Sequence, residues 1–219
     1  MRYLSSFLIL VILLVVVALR CSNNKSSATA TFCDTTCNSD TIRFEGEGKL
    51  HPFVSISQKN CIADTLTWTH DLLPSNRQMQ LPTLLDNTVR INRSAVNCYI
   101  KDTSYAYLSF NDCITGRGYL FKLPFNKKEN VVKITSALNA FDKKFVVPED
   151  LRAYADRSTL YVVDVATDKK AQMTFKEQYP IDYNDVHAII DSINISRSHM
   201  FILLKKDGKD IPIEKSISL

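Results

Sequence analysis

The sequence predicts an all-β body of meander-rich antiparallel sheets, on three observations. Apolar residues recur with a period of two, turn residues separate those runs at short intervals, and helical signals are few. In TLTWTH, Leu66, Trp68 and His70 share one face and Thr65, Thr67 and Thr69 the other. FVSIS alternates from Phe53 to Ser57, and SYAYLSF sets Tyr105, Tyr107 and Ser109 opposite Ala106, Leu108 and Phe110. GYLFKLPF lines up Tyr119, Phe121, Leu123 and Phe125. TLYVVDV and HMFILLK are apolar on both faces, as central strands are, and IPIEKSISL aligns Ile211, Ile213, Ile217 and Leu219.

Turn chemistry marks the connections. Thr115-Gly116-Arg117-Gly118 and Asp207-Gly208-Lys209 supply positive φ cheaply. Asp156-Arg157-Ser158 and Thr167-Asp168-Lys169 are weaker versions of the same signal. Two short helical segments are expected: Leu81 to Asn87, entered through Pro82, and Asp182 to Asp191, with Tyr183, Val186, Ile189 and Ile190 at helical spacing. Aligning Leu120, Tyr161 and Phe201 gives steps of 41 and 40 residues. That is the period of propeller blades, and LYVVDVATDKKAQMTF resembles a blade of TolB or WD type. An irregular β-sandwich of sequential meanders gives the same pattern. The expected architecture is therefore propeller-like repeats of about 40 residues or such a sandwich.

The N-terminus sets the compartment. Tyr3 to Leu19 is uncharged, with a dense apolar stretch from Phe7. A spanning helix wants roughly 20 apolar residues, so the run suits the h-region of an export signal. Arg2 supplies a thin positive start, and Cys21 is followed by Ser, Asn and Asn in a short polar tether. This resembles the start of exported bacterial lipoproteins of Bacteroidota type, although Ala18 and Arg20 stand where that pattern has leucine and a small residue. The resemblance implies lipidation at Cys21. An uncleaved anchor and plain secretion are the alternatives, and all three place the body outside the cytoplasm, in the cell envelope. The expected division is residues 1–20 as signal or anchor, 21–38 as flexible tether and 39–219 as one β-rich domain.

Asp34-Thr35-Thr36, Asp40-Thr41-Ile42, Asp64-Thr65-Leu66 and Asp191-Ser192-Ile193 resemble the O-glycosylation tripeptide of the same class of exported proteins, which makes Thr35, Thr41, Thr65 and Ser192 candidate acceptors. The plain alternative is that Asp-Thr pairs mark strand starts and turns.

Without Arg2 and Arg20 the chain holds 25 basic and 23 acidic residues, which gives no electrostatic reason to expect nucleic acid as a partner. The chain has six cysteines. With Cys21 lipidated, Cys33, Cys37, Cys61, Cys98 and Cys113 remain as disulfide candidates, and an odd count leaves one unpaired. The spacing of Cys33 and Cys37 would suit a tight loop bridge; connectivity does not follow from sequence. No second cysteine pair or histidine cluster completes a zinc site, so no metal or cofactor is expected.

No Gly-x-Ser-x-Gly is present, and the glycines of FEGEGK have the wrong spacing for a phosphate loop. Glu45 with Glu47, and Glu149 with Asp150, are the paired carboxylates. Trp68, His70, Tyr105 and Tyr107 are the candidate binding surface, since phenols and indoles seek water or a partner. The expected function is a non-enzymatic, membrane-tethered envelope module that presents a β-rich surface to an envelope protein or glycan. An exported glycan-active hydrolase with carboxylates not yet assembled is the alternative from another class, and a redox or metal module built on the N-terminal cysteines is a third.

Overall fold

A computed structural model describes residues 32–33 and 40–219. Among the described residues fifteen strands form three sheets, which bears out the all-β class. Strands β1 (Ile42–Glu45), β2 (Phe53–Lys59), β3 (Ile62–Thr69) and β4 (Arg77–Gln80) make a four-stranded antiparallel sheet in sequential order. Seven strands follow in the order β12-β11-β10-β8-β7-β6-β5. They are β5 (Val96–Lys101), β6 (Tyr105–Asn111), β7 (Gly118–Pro124), β8 (Val132–Ala137), β10 (Leu151–Ala155), β11 (Thr159–Asp164) and β12 (Lys170–Thr174). The third sheet joins β15 (Lys209–Ser216), β14 (His199–Lys206), β13 (Ile190–Ile195) and the two-residue β9 (Phe145–Val146), which pairs parallel to β13.

Period-two alternation decides what each strand buries. On β3, Leu66 and Trp68 enter a core shared by the first sheet and β5–β7, where Phe110, Tyr119, Phe121, Leu123 and Phe125 meet them. The four residues aligned in GYLFKLPF thus all face one core. A second core lies between β10–β12 and the third sheet, and it is mostly aliphatic: Leu151, Leu160, Val162, Ile193, Ile202 and Leu204. A third, smaller cluster holds Tyr107, Leu120, Ala137, Val163 and Val165.

That third cluster shows the seven-stranded sheet to be strongly curled. At about 4.8 Å per strand, β6 and β11 would stand roughly 19 Å apart in a flat sheet. Instead the Tyr105 hydroxyl donates to Val165 O at 3.0 Å, and Lys101 Nζ donates to Ala166 O. Twist of this kind is the normal hand of sheets carried to the point where the two halves face each other.

The meanders follow one another in sequence. A single pairing, Tyr154 with Ala137, joins the second and third into one seven-stranded sheet. The 40-residue step is structural: Ser158 N bonds Asp156 Oδ1, and 40 positions later Ser198 N bonds Ser196 Oγ, each in the turn before a central strand. The 41-residue step aligns β7 with β11, whereas turn chemistry aligns β6 with β11. After β6, Asp112-Cys-Ile-Thr-Gly116-Arg117 closes with Asp112 N on Arg117 O at 2.9 Å and Gly116 N on Asp112 O at 2.8 Å. After β11, Asp164-Val-Ala-Thr-Asp168-Lys169 repeats both bonds at 3.0 and 2.9 Å. The fifth position is left-handed in each, φ 76° at Gly116 and 59° at Asp168. In both turns the aspartate side chain accepts from backbone N–H groups inside the loop.

The helix expected near Pro82 is present as Leu81–Leu85, with the proline in its first turn. The one expected over Asp182 to Asp191 is reduced to a 3-10 turn at Val186–Ala188. Ile190 pairs with Leu204 as the first residue of β13, so sheet formation takes the segment's C-terminal part. Gly118 is required by close approach and not by positive φ: a Cβ there would lie 2.1 Å from Ala137 O.

Phe32 and Cys33, assigned from sequence to the tether, are held to the body. Phe32 N donates to Cys113 O at 2.9 Å, and Cys33 is disulfide-bonded to Cys113, 80 residues away. Of the connectivities the sequence left open, Cys33 takes the distant one and not the tight loop to Cys37: curling of the chain, not sequence proximity, chose its partner. Cys61 is also disulfide-bonded, and among the described residues Cys98 is a free thiol. Cys21, Cys37 and Thr35 lie outside the described residues. Among the described residues, no helix is long and apolar enough to cross a membrane.

Candidate functional site

The aromatic surface expected from sequence is largely interior. Trp68 is 1% exposed and Tyr107 3%. The Trp68 indole donates to Pro124 O at 2.9 Å, and the Arg77 guanidinium covers the ring at 5.0 Å. The His70 ring packs edge-on against Phe125. Tyr105 is half-buried, and its hydroxyl is committed to Val165 O. Tyr107 donates to Asp168, which also receives Lys122 Nζ. These four residues do not converge: Trp68 belongs to the first core, and the two tyrosines fasten the β11–β12 turn onto β5–β7. The phenols and the indole found their polar partners inside the fold, an outcome that alternation cannot distinguish from exposure.

Of the candidate acceptors, Thr41 is exposed beside edge strand β1. Thr65 is half-buried in β3 with its hydroxyl engaged by Gln80 and Asp64, and Ser192 is half-buried at the β13 bulge. Glu45 pairs with Arg43 at 3.0 Å, and Asp150 with Arg197 at 2.6 Å. Among the described residues, no group of three or more His, Cys, Asp or Glu side chains could hold a metal ion.

The structure instead brings together a site that sequence reading passed over. On β10 the odd positions Leu151, Ala153 and Ala155 enter the second core. Alternation therefore turns Arg152 to the opposite face, between the two halves of the curled sheet. There the side chain is 6% exposed. Its Nη1 donates to Glu149 O and Leu151 O, both at 2.7 Å, and its Nη2 to Asn97 Oδ1 at 3.0 Å. Its Nε is buried with no hydrogen-bond partner. No ion pair among the described residues involves it. Burial pulls its pKa below the ordinary arginine value, with Cys98, Glu149 and Asp150 opposing that shift. A guanidinium stays charged in such a setting.

Arg152 lines a cavity of about 210 Å³. Asn97 and Ser109, directly opposed on β5 and β6, line it as well. The segment Leu138–Phe141 forms another part of the lining, and Val147–Glu149 a further part. Asn139 is fixed by three contacts of its amide nitrogen, to Phe110 O, Asn111 Oδ1 and Tyr119 O. The neighbouring Cys98 is pushed up to about 12 by burial, against the pull of the Arg152 charge. It is therefore protonated at neutral pH and a poor nucleophile. The arrangement offers hydrogen-bond donors and a fixed positive charge, and no activated nucleophile. The signal available in sequence was slight: a lone arginine in the otherwise uncharged strand LRAYA.

No family model, no curated protein and no solved structure matches the chain.

Proposed function

We propose that the chain is an exported, membrane-tethered and non-enzymatic β-domain that presents its surface to an envelope protein or a glycan. The observation that carries this reading is the Cys33–Cys113 disulfide, joined by a disulfide-bonded Cys61. Such bonds form and persist in oxidising compartments, where an export leader would deliver the chain. The disulfide also fixes the body at residue 33, twelve positions after Cys21, so an acyl group there would confine the domain to a membrane face with a short reach.

The presenting face is the side of the first sheet turned away from Trp68. Arg43, Ser55, Thr67 and Gln78 stand there in register across all four strands. A row of hydroxyl, amide and guanidinium groups suits a polar, hydrogen-bonding partner such as a glycan. The test is mass spectrometry of the mature N-terminus with membrane fractionation, for wild type and Cys21→Ala. The expected result is a chain that begins at an acylated Cys21 and leaves the membrane when Cys21 is replaced. Identical mass and fractionation in both would sink the lipid anchor.

A further inference from the structure

We propose that the cavity beside Arg152 is a binding site for a small organic carboxylate with a short apolar body. This goes beyond the tethering reading and does not depend on it. The inference starts from a charge imbalance. Buried arginines are normally paired with acids, because an uncompensated buried charge is strongly unfavourable. Here the two acids nearest in sequence act on the cation only from a distance, and neither makes an ion pair with it. Asp150 is bonded twice to Arg197, at 3.0 and 2.6 Å. Glu149 offers Arg152 its backbone carbonyl, and its carboxylate makes no ion pair with it among the described residues. Three neutral oxygens hold the guanidinium in place and leave its charge without a counter-ion.

The surroundings fit an acid better than another ligand class. Asn97 gives its oxygen to Arg152, and its amide nitrogen is a further donor at the cavity. Ser109, directly opposite Asn97, also lines the space, with its hydroxyl donating to Asn97 O at 3.5 Å. Leu138, Phe141, Val147 and Pro148 supply an apolar wall, which suits a hydrocarbon body and not a sugar. At about 210 Å³ the space is below the usual range of drug-sized pockets, about 300–1,000 Å³, so the ligand is small. Glu149 on the rim, with Asp150 next to it in sequence, supplies the nearby negative charge that opposes an anion.

The probe is butyrate, with isosteric neutral butyramide as control, titrated into the full-length protein in detergent. NMR follows the Arg152 Nε–H and Asn97 side-chain resonances. Butyrate is expected to shift both and to saturate, and butyramide to shift neither. Asn97→Asp places a carboxylate against the guanidinium with no change of shape. It is expected to raise the unfolding temperature and to weaken butyrate at least about tenfold, the worth of one charge-assisted contact. Glu149→Gln is expected to tighten binding. The proposal fails if butyrate leaves the Arg152 and Asn97 resonances unmoved in wild type. It fails equally if butyramide binds as well, or if Asn97→Asp is stable and binds butyrate like wild type.

Discussion

The two halves of the body bury similar cores between sheets but fasten them by different chemistry. The N-terminal half is aromatic and covalent. Trp68, Phe110, Phe121 and Phe125 fill its core, and Cys33–Cys113 closes it. The C-terminal half is aliphatic and ionic. Ile193, Ile202, Leu204 and Val162 fill its core, while Arg197 grips Asp150 and Asp164, Lys205 grips Asp191, and His187 meets Asp142 at 2.7 Å. The same loop appears in both halves with different support. The Asp112 carboxylate is held by Thr115, through its N–H and its hydroxyl, and by the backbone of Arg90. That of Asp164, 1% exposed, takes a guanidinium from Arg197 at 2.7 Å. A fold can therefore close one turn by neutral hydrogen bonds or by an ion pair, and the choice decides how each half responds to redox potential, pH and salt.

The largest effect should come from the covalent side. Replacing Cys33 and Cys113 together by serine opens a loop of 80 residues, which in the chain-entropy model costs about 4.5 kcal/mol. Denaturant unfolding monitored by Trp68 fluorescence should show the midpoint drop accordingly. Intact thiol-free stability in the double variant would mean that packing alone closes this half.

Next in size is the ionic side. Burial alone would raise the Asp164 carboxyl, but hydrogen bonds from Arg197 and from the N–H groups of Thr167 and Ala166 outweigh it and hold the group below its ordinary 3.8. A carboxyl depressed in the folded state adds stability above that ordinary value and loses it as pH falls through the folded value. Asp164→Asn should therefore cost about 2 kcal/mol at neutral pH, and its penalty should shrink below about pH 4. Asp112→Asn should cost about 1 kcal/mol, since it loses only neutral partners. Paired unfolding curves across pH would compare the two turns, and equal costs would erase the distinction drawn between them.

The smallest effect is at high pH. Burial, joined by the negative charge of Asp168, pushes Tyr105 up to about 12, and burial does the same to Tyr183 in the other half. A group raised in the folded state adds stability below its ordinary value of 10.0 and loses it as pH climbs through the folded one. Phenolate absorbance should show late ionisation that Tyr105→Phe and Tyr183→Phe each reduce. Each substitution should cost roughly 1 kcal/mol through the lost bond to Val165 O or to Ala155 O. Ionisation of either phenol at its ordinary value would contradict the burial seen here.

Period and turn chemistry carried most of the fold. The alternation in TLTWTH and GYLFKLPF put the right residues into the core, because a strand's side chains have only two directions. Asp207-Gly208 was readable as a hairpin because few residues tolerate two left-handed φ values in a row, 50° and 72° here. The segment after Asp182 misled, since helical spacing and a strand's first residues overlap in a short apolar run. The candidate site was barely legible. Trp68 and Tyr107 announce polar atoms that need partners, and sequence does not say whether water or Pro124 O will provide one. Arg152 gave almost no warning, because its significance lies in which acids fail to reach it.

The sequence by itself determined the class of fold, the strand faces and the left-handed turns, all of which depend on neighbours within a few positions. Only the tertiary structure decided the partner of Cys33, the fusion of two meanders into one curled sheet, and the isolation of the Arg152 charge. Each of those depends on distances between residues dozens of positions apart, which local periodicity does not encode. Curling brought Asn97 to Arg152 while Arg197 drew Asp150 away, and that competition among distant groups left a buried cation beside a cavity.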